Sequence, residues 1–178
     1  MSYIQTFTGR RFYPADPRPW DVDIHDIAHS LSHLCRFNGH TRKFYSVAQH
    51  SVLVSVIVPE SLALDGLMHD AAEAYLSDIT SPVKPLLEEL ALIEARIHES
   101  IAIAMAARYM VPMSRVIPPA VKHADLVMLA TERRDLLTDT GDEWPCLAGI
   151  EPRHEQITAW DPETAKRMFL ERFEELAG

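Results

Sequence analysis

The chain has 178 residues, 47% hydrophobic and 24% charged, which is globular in proportion and long enough for one sizeable core. Its net charge of −9 argues against a nucleic-acid polymer as partner, because phosphate backbones are bound by clustered Lys and Arg. A small phosphorylated substrate stays compatible, since a bound cation and a few local basic groups offset an acidic field. No apolar run reaches the roughly 18 residues of a membrane span. The only cysteines, Cys35 and Cys146, have no paired spacing, and Met1 to Gln5 shows no basic region before an apolar stretch. The expectation is a cytoplasmic protein without disulfides or membrane contact.

Residues 1–20 carry Pro14, Pro17 and Pro19 among Phe7, Phe12, Tyr13 and Trp20, and read as an extended arm or short hairpin packed on the body. Asp23 caps a first helix to about Leu34, with Ile24, Ile27, Leu31 and Leu34 on one face. Residues 35–43 break that pattern as a polar loop. Ser46 caps a second helix ending before Pro59, and a third runs from Ser61 to about Leu76. After a turn at Pro82 and Pro85, a long helix covers about Leu86 to Tyr109, with Leu87, Leu90, Ile93, Ile97 and Ile101 in register. Two more span about Pro118 to Leu137 and Pro162 to Leu176, separated by an irregular connection from Asp139 to Trp160. No repeat or Gly/Ser linker divides the chain. The reading is one compact all-α domain over residues 1–178, with an N-terminal arm, a core of about 21–140 and a C-terminal helix.

The segment from His69 to Asp78 carries chemistry. A His–Asp pair on an apolar helix is costly unless its members are paired or bind metal. Adjacent helical side chains point about 100° apart, so His69 and Asp70 can pinch one ion from neighbouring directions. Glu73 lies four residues after His69, on the same face, where it reaches a water or leaving group without being a ligand. His50 and Asp125 are each a polar side chain among inward-packing residues of other helices. Imidazole and carboxylate donors suit Zn, Mn, Co or Fe, and four ligands from three helices make a half-open site in a bundle.

The order His50, His69-Asp70, Asp125 resembles the HD superfamily of metal-dependent phosphohydrolases. The stretch from His69 through Glu73 to Asp78-Ile79-Thr80-Ser81-Pro82-Val83-Lys84 is similar to the bacterial 5′-deoxynucleotidase branch and to the related phage deoxynucleoside triphosphohydrolases. The resemblance covers roughly residues 20–140 and implies an HD helical bundle. It implies His50, His69, Asp70 and Asp125 as ligands of a divalent ion (Zn, Mn, Co, Fe or Mg), with a second ion as an alternative. Glu73 maps to a catalytic acid, and Asp78 to an acidic residue near the sugar hydroxyl. Arg36 and Lys84 match phosphate-binding residues, and Phe37 stands where the family has a tryptophan against the sugar. The spacing from His50 to His69 is shorter than in the bacterial enzymes. The implied activity is hydrolysis of a deoxynucleotide phosphate, either a dNMP or a dNTP, by a homo-oligomer.

Two rivals stand beside it: a non-catalytic metal-stabilised nucleotide-binding or sensing protein, and an HD hydrolase of a signalling nucleotide. Glu73 speaks against the first, since a structural site gains nothing from an unliganded acid. Blander readings cover the other polar residues. His25, His29 and His33 form a solvated helix face, and His98 and His154 are surface residues. His123 is either a partner of a ligand or a packed histidine. Arg42 and Lys43 belong to a solvated loop, and Met105, Met110, Met113, Met128 and Met168 fill the core.

Overall fold

The computed structural model describes residues 2–178. Its N-terminal arm is a small antiparallel hairpin, β1 (Ile4–Gln5) against β2 (Arg11–Phe12), with Ile4 opposite Phe12. Gly9, at φ +83°, supplies the left-handed residue of its turn. Two contacts hold the arm to the body. Asp26, buried, accepts from the backbone N–H of Thr8 at 2.6 Å and its hydroxyl at 2.9 Å. Phe12 is fully buried and stacks on Tyr75 at 3.7 Å between ring centroids.

The first helix, α1 (Ile24–His33), starts where the sequence places it, with the Asp23 carboxylate accepting from the His25 N–H. His25 and His33 are exposed on it, while His29 is half-buried under Phe7, with ring centroids 3.9 Å apart. The next helix, α2 (Val47–Ile57), is capped by Ser46 and ends before Pro59. It is apolar nearly all round, and such a helix belongs at the centre of its fold. Of its residues, Val47 to Val52, Val54 and Ser55 are all buried.

The third predicted helix is broken in two, α3 (Ala63–Met68) and α4 (Glu73–Leu76). Between them the hydrogen bonds tighten, Ala71 N–H to the Met68 carbonyl and Glu73 N–H to the Asp70 carbonyl. His69 and Asp70 therefore sit on a tight turn, not on a regular helix, and fan out more widely than 100°. Ser77, at φ +75°, ends α4. Gly66 lets α3 lie against α2: a Cβ there would meet Ser55 Cα and Val58 Cγ2 at 3.0 Å.

The long helix is α5 (Glu88–Ala104), prolonged by a π-helical turn Met105–Tyr109 and closed by Met110 in the left-handed region. It starts later than predicted, and its N-terminal half overshoots the core. Leu87, expected in register, is exposed, whereas Ile97 and Ile101 are fully buried. Met110 is 86% exposed and fills no core. His98 is buried, contrary to the surface reading, because Nε2 of its ring faces the Ser114 carbonyl at 3.1 Å. Then come α6 (Pro119–Leu136) and α7 (Pro162–Ala177), the latter capped by Asp161.

The principal core runs from Phe12 through Ile27, Leu31, Leu67, Met68 and Ile97 to Phe169 and Phe173, so both ends of the chain share it. A second cluster of Val54, Val58, Val121, Ala124 and Met128 joins α6 to α2. Full burial of each large side chain here contributes about 1.5–3 kcal/mol. The connection between α6 and α7 is irregular and tied down at Gln49. The Gln49 amide donates to the Thr158 carbonyl at 2.8 Å and accepts from the Trp160 N–H at 2.9 Å. No helix among the described residues is long and apolar enough to cross a membrane. Cys35 and Cys146 are both free thiols.

Candidate metal centre

Three parts of the chain meet at His50. It lies on α2, fully buried, and α6 grips its ring at both nitrogens. Glu132 Oε1 is 2.6 Å from Nδ1, and Asp125 Oδ1 is 3.1 Å from Nε2. Asp125 and Glu132 stand seven residues apart, two turns along one face of α6. From the turn after α3, His69 brings its Nε2 to 3.3 Å from that of His50. Asp70 Oδ2 lies 3.2 Å from His69 Nε2 and 3.6 Å from His50 Nε2.

The hydrogen bonds behind the rings decide what the front can do. His69 Nδ1 is 2.8 Å from the Gly66 carbonyl, which only accepts, so Nδ1 carries the proton. His50 Nδ1 likewise donates to the ionised Glu132. Both Nε2 atoms are then turned toward one another and toward two carboxylate oxygens, Asp125 accepting from the His50 ring. Such a gathering of nitrogen and carboxylate atoms needs a positive charge within it, either a proton or a cation. His50, His69 and Asp125 offer ligand atoms mutually within 4.8 Å, and these three could hold a metal ion. The spacings of 3.1–3.6 Å match the edges between neighbouring donors set about 2.0–2.2 Å from a common ion.

The charge balance agrees. Asp70, Asp125 and Glu132, the carboxylates held ionised, outnumber the Arg36 guanidinium beside them. Burial and Arg36 oppose charge on the His50 ring, yet Glu132 and the bond to Asp125 prevail and raise its pKa to about 9. A proton there stands in for a cation. Burial likewise disfavours the Asp70 and Asp125 carboxylates, but the two histidines reverse this and hold both below the usual range.

Glu73 behaves oppositely. Burial first, then the neighbouring Asp70 and Asp78, push its carboxyl up to about 9 against the pull of Lys84. Lys84 Nζ is shared between Glu73 Oε1 at 3.2 Å and Glu94 Oε1 at 3.3 Å, while the buried Glu73 Oε2 has no partner. Asp78 is also raised, chiefly by burial.

Arg36 is placed differently from a residue on a free polar loop. Bonds from its N–H to the Tyr45 carbonyl and from the Val47 N–H to the Leu34 carbonyl close the neck of the 36–45 loop. Its guanidinium donates to Glu132 Oε2 from Nε at 3.1 Å and Nη2 at 3.0 Å, and Nη1 approaches Asp70 at 3.6 Å. Burial opposes its charge, but Glu132, Asp70 and Asp125 raise its pKa. Phe37 packs beneath it, 5.4 Å from ring centroid to guanidinium carbon. Phe37 and Asn38 both hold positive φ, 54° and 49°, and such strain persists only where surroundings enforce it. Arg42 is pinned to the end of α6, donating to the Asp135 and Leu136 carbonyls.

Arg36, Phe37, Asp70, Glu73, Asp78, Lys84 and Asp125 all line one cavity of about 840 Å³, with His50 and His69 behind its floor. Glu132 is the residue the sequence reading missed. It sits in the charged run from Glu132 to Asp135, and only its seven-residue spacing from Asp125 signals the shared face. His123, read as a partner or a packed residue, is exposed and is neither; His154 is exposed as expected.

The chain is 48% identical over 179 aligned residues to the Escherichia coli (strain K12) "Uncharacterized protein YfdR", covering 99% of this chain and 97% of that protein. The chain belongs to the YfdR family. A Rhodobacter capsulatus uncharacterized protein is 34% identical over 146 residues, covering 76% of this chain and 73% of that one. No family model matches the sequence.

Proposed function

We propose that this chain is an HD-type metal-dependent phosphohydrolase acting on a deoxynucleotide phosphate. The carrying observation is the gathering of nitrogen and carboxylate ligand atoms of His50, His69, Asp70 and Asp125 at the floor of a cavity also lined by Arg36, Glu73, Asp78 and Lys84. These four residues would hold the ion, and their nitrogen and oxygen donors suit Zn, Mn, Co or Fe more than a thiolate-seeking metal. When bound, the ion supplies Lewis-acid polarisation of a phosphoryl oxygen and a water acidified toward neutral pH.

The chain's own groups supply the rest. Arg36 is fixed by Glu132 before substrate arrives, so its Nη1 can neutralise phosphate charge without first being ordered. Glu73, buried and tending to keep its proton, is suited to pass that proton to or from a reacting oxygen through the unpartnered Oε2. Lys84 holds the other Glu73 oxygen and stands at the cavity edge to meet a phosphate. Asp78 lines the same cavity, in reach of the sugar. The exposed Leu86, Leu87 and Leu92 support the expectation of a homo-oligomer.

A panel of dNMPs and dNTPs with Mn, Co, Zn or Mg, reading phosphate and triphosphate release separately, tests the reading. Metal-dependent turnover of one class, abolished by a chelator, is expected. If the metal binds and no nucleotide is hydrolysed, the hydrolase reading is lost.

A further inference from the structure

The cavity is larger and less polar than phosphate chemistry requires. At about 840 Å³ it lies toward the upper end for small-molecule sites. Away from the polar floor its wall is apolar, formed by Leu126 and Leu129 of α6, Leu137 just after it, and Trp144 and Pro145 of the connection. Helix α6 orders these groups in space. Asp125 bears on the metal cluster, Leu129 follows about 6 Å along the axis, and Leu137 lies about two turns further. A phosphorylated molecule anchored beside Arg36, at the ion the cluster would hold, therefore lays its remainder along apolar surface.

Trp144 is half-buried, and its ring is held from one side. The Arg133 guanidinium lies 4.9 Å from the indole centroid, and Arg133 also donates to the Asp142 carbonyl, clamping the segment to α6. Arg133 does not line the cavity, whereas Trp144 does. Arg133 lies over the ring from outside the cavity lining, so the cation fixes how the indole is held at the cavity wall.

We propose that Trp144 is a stacking platform for the planar ring of the substrate, a nucleobase, while the phosphate lies at the metal cluster. The proposal rests on the phosphohydrolase reading for the phosphate end alone. Leucine walls accept any apolar group, but an indole adds base–aromatic stacking, which every base can satisfy. The platform accordingly separates nucleotides from base-less sugar phosphates and discriminates little among bases.

The test measures binding with metal present, in a Glu73→Gln background so that turnover is slow on the timescale of the binding measurement. The probes are dAMP, dATP and 2-deoxyribose 5-phosphate. Trp144→Ala should weaken nucleotide binding about ten- to hundredfold and change the sugar phosphate less than about twofold. Trp144→Phe, which keeps an aromatic face, should restore most of the loss. Equal nucleotide affinity in Trp144→Ala and its parent overturns the proposal, whether or not the chain hydrolyses phosphate. An equal loss for nucleotide and sugar phosphate also overturns it, because that pattern reports collapse of the cavity. A selective loss in a protein that hydrolyses no nucleotide sinks the phosphohydrolase reading and leaves the platform standing.

Discussion

Replacing Glu132 by glutamine asks how much depends on one buried carboxylate. The side chain is fully buried, and its two oxygens accept from different partners, His50 at 2.6 Å and the Arg36 fork at 3.0 and 3.1 Å. Burial alone would raise its pKa, but Arg36 and His50 reverse this and stabilise the anion. Glutamine keeps the shape, yet its NH₂ must face a donor, and Arg36 loses its main counter-charge. Removing one partner of a buried pair costs about 3–5 kcal/mol. At about 2–4 °C per kcal/mol for a domain of this size, Tm should fall by roughly 6–20 °C. The single amide oxygen cannot serve both partners. Where it stays with the Arg36 fork, the NH₂ faces His50 Nδ1 and upsets its tautomer, so metal affinity should fall about 10–100-fold. Scanning calorimetry of the metal-free protein and calorimetric titration with Zn or Mn read the two effects. Glu171→Gln, which breaks an exposed pair with Arg167 on α7, is the control and should change neither. A Glu132→Gln protein with the parent's Tm and metal affinity would refute the reasoning.

Two further substitutions separate the remaining roles. Arg36→Ala strands Glu132 in the interior, so Tm should fall by about 6 °C or more alongside weaker nucleotide binding, and Arg36→Lys should not restore the fork. Unchanged thermal stability in Arg36→Ala would mean that the Glu132 contacts carry little. Glu73→Gln should keep fold and metal content while turnover drops about 10²–10⁴-fold; metal analysis beside steady-state kinetics checks it, and parental turnover would remove the acid–base role.

The proximity of His50, His69, Asp70 and Asp125 was readable mainly through their order, which resembles the HD superfamily; taken alone, Asp125 reads equally as a cap or an ion-pair partner. The starts of α1 and α2 were readable through the caps Asp23 and Ser46. Glu132 was hidden because a glutamate within a charged run looks solvated, and its burial depends on what α2 presents opposite it. The break between α3 and α4 had no Gly or Pro to announce it. It arises where the His69 ring folds back onto the Gly66 carbonyl, a tertiary demand that overrides helix propensity. Leu87 kept the period of α5 yet lies outside, since periodicity marks a face but not where the neighbouring helices stop. His98 was misread because its partner, the Ser114 carbonyl, is distant in sequence.

The clasp formed by Gln49 has an evolutionary consequence. It fastens Thr158 and Trp160 to the residue next to His50, so the backbone beyond them is held in place from the α2 side. Between that post and the end of α6, Trp144, Pro145 and Cys146 supply part of the outer cavity wall from irregular chain, where insertions and replacements are better tolerated than in packed helices. Lineages can thus rewrite that wall by length and composition while the distances among His50, His69 and Asp125, set on packed helices, stay fixed. Change in the wall and constancy in the spacing of the cluster would fall to different stretches of backbone, and Gln49 is the residue whose loss would let a change in one disturb the other.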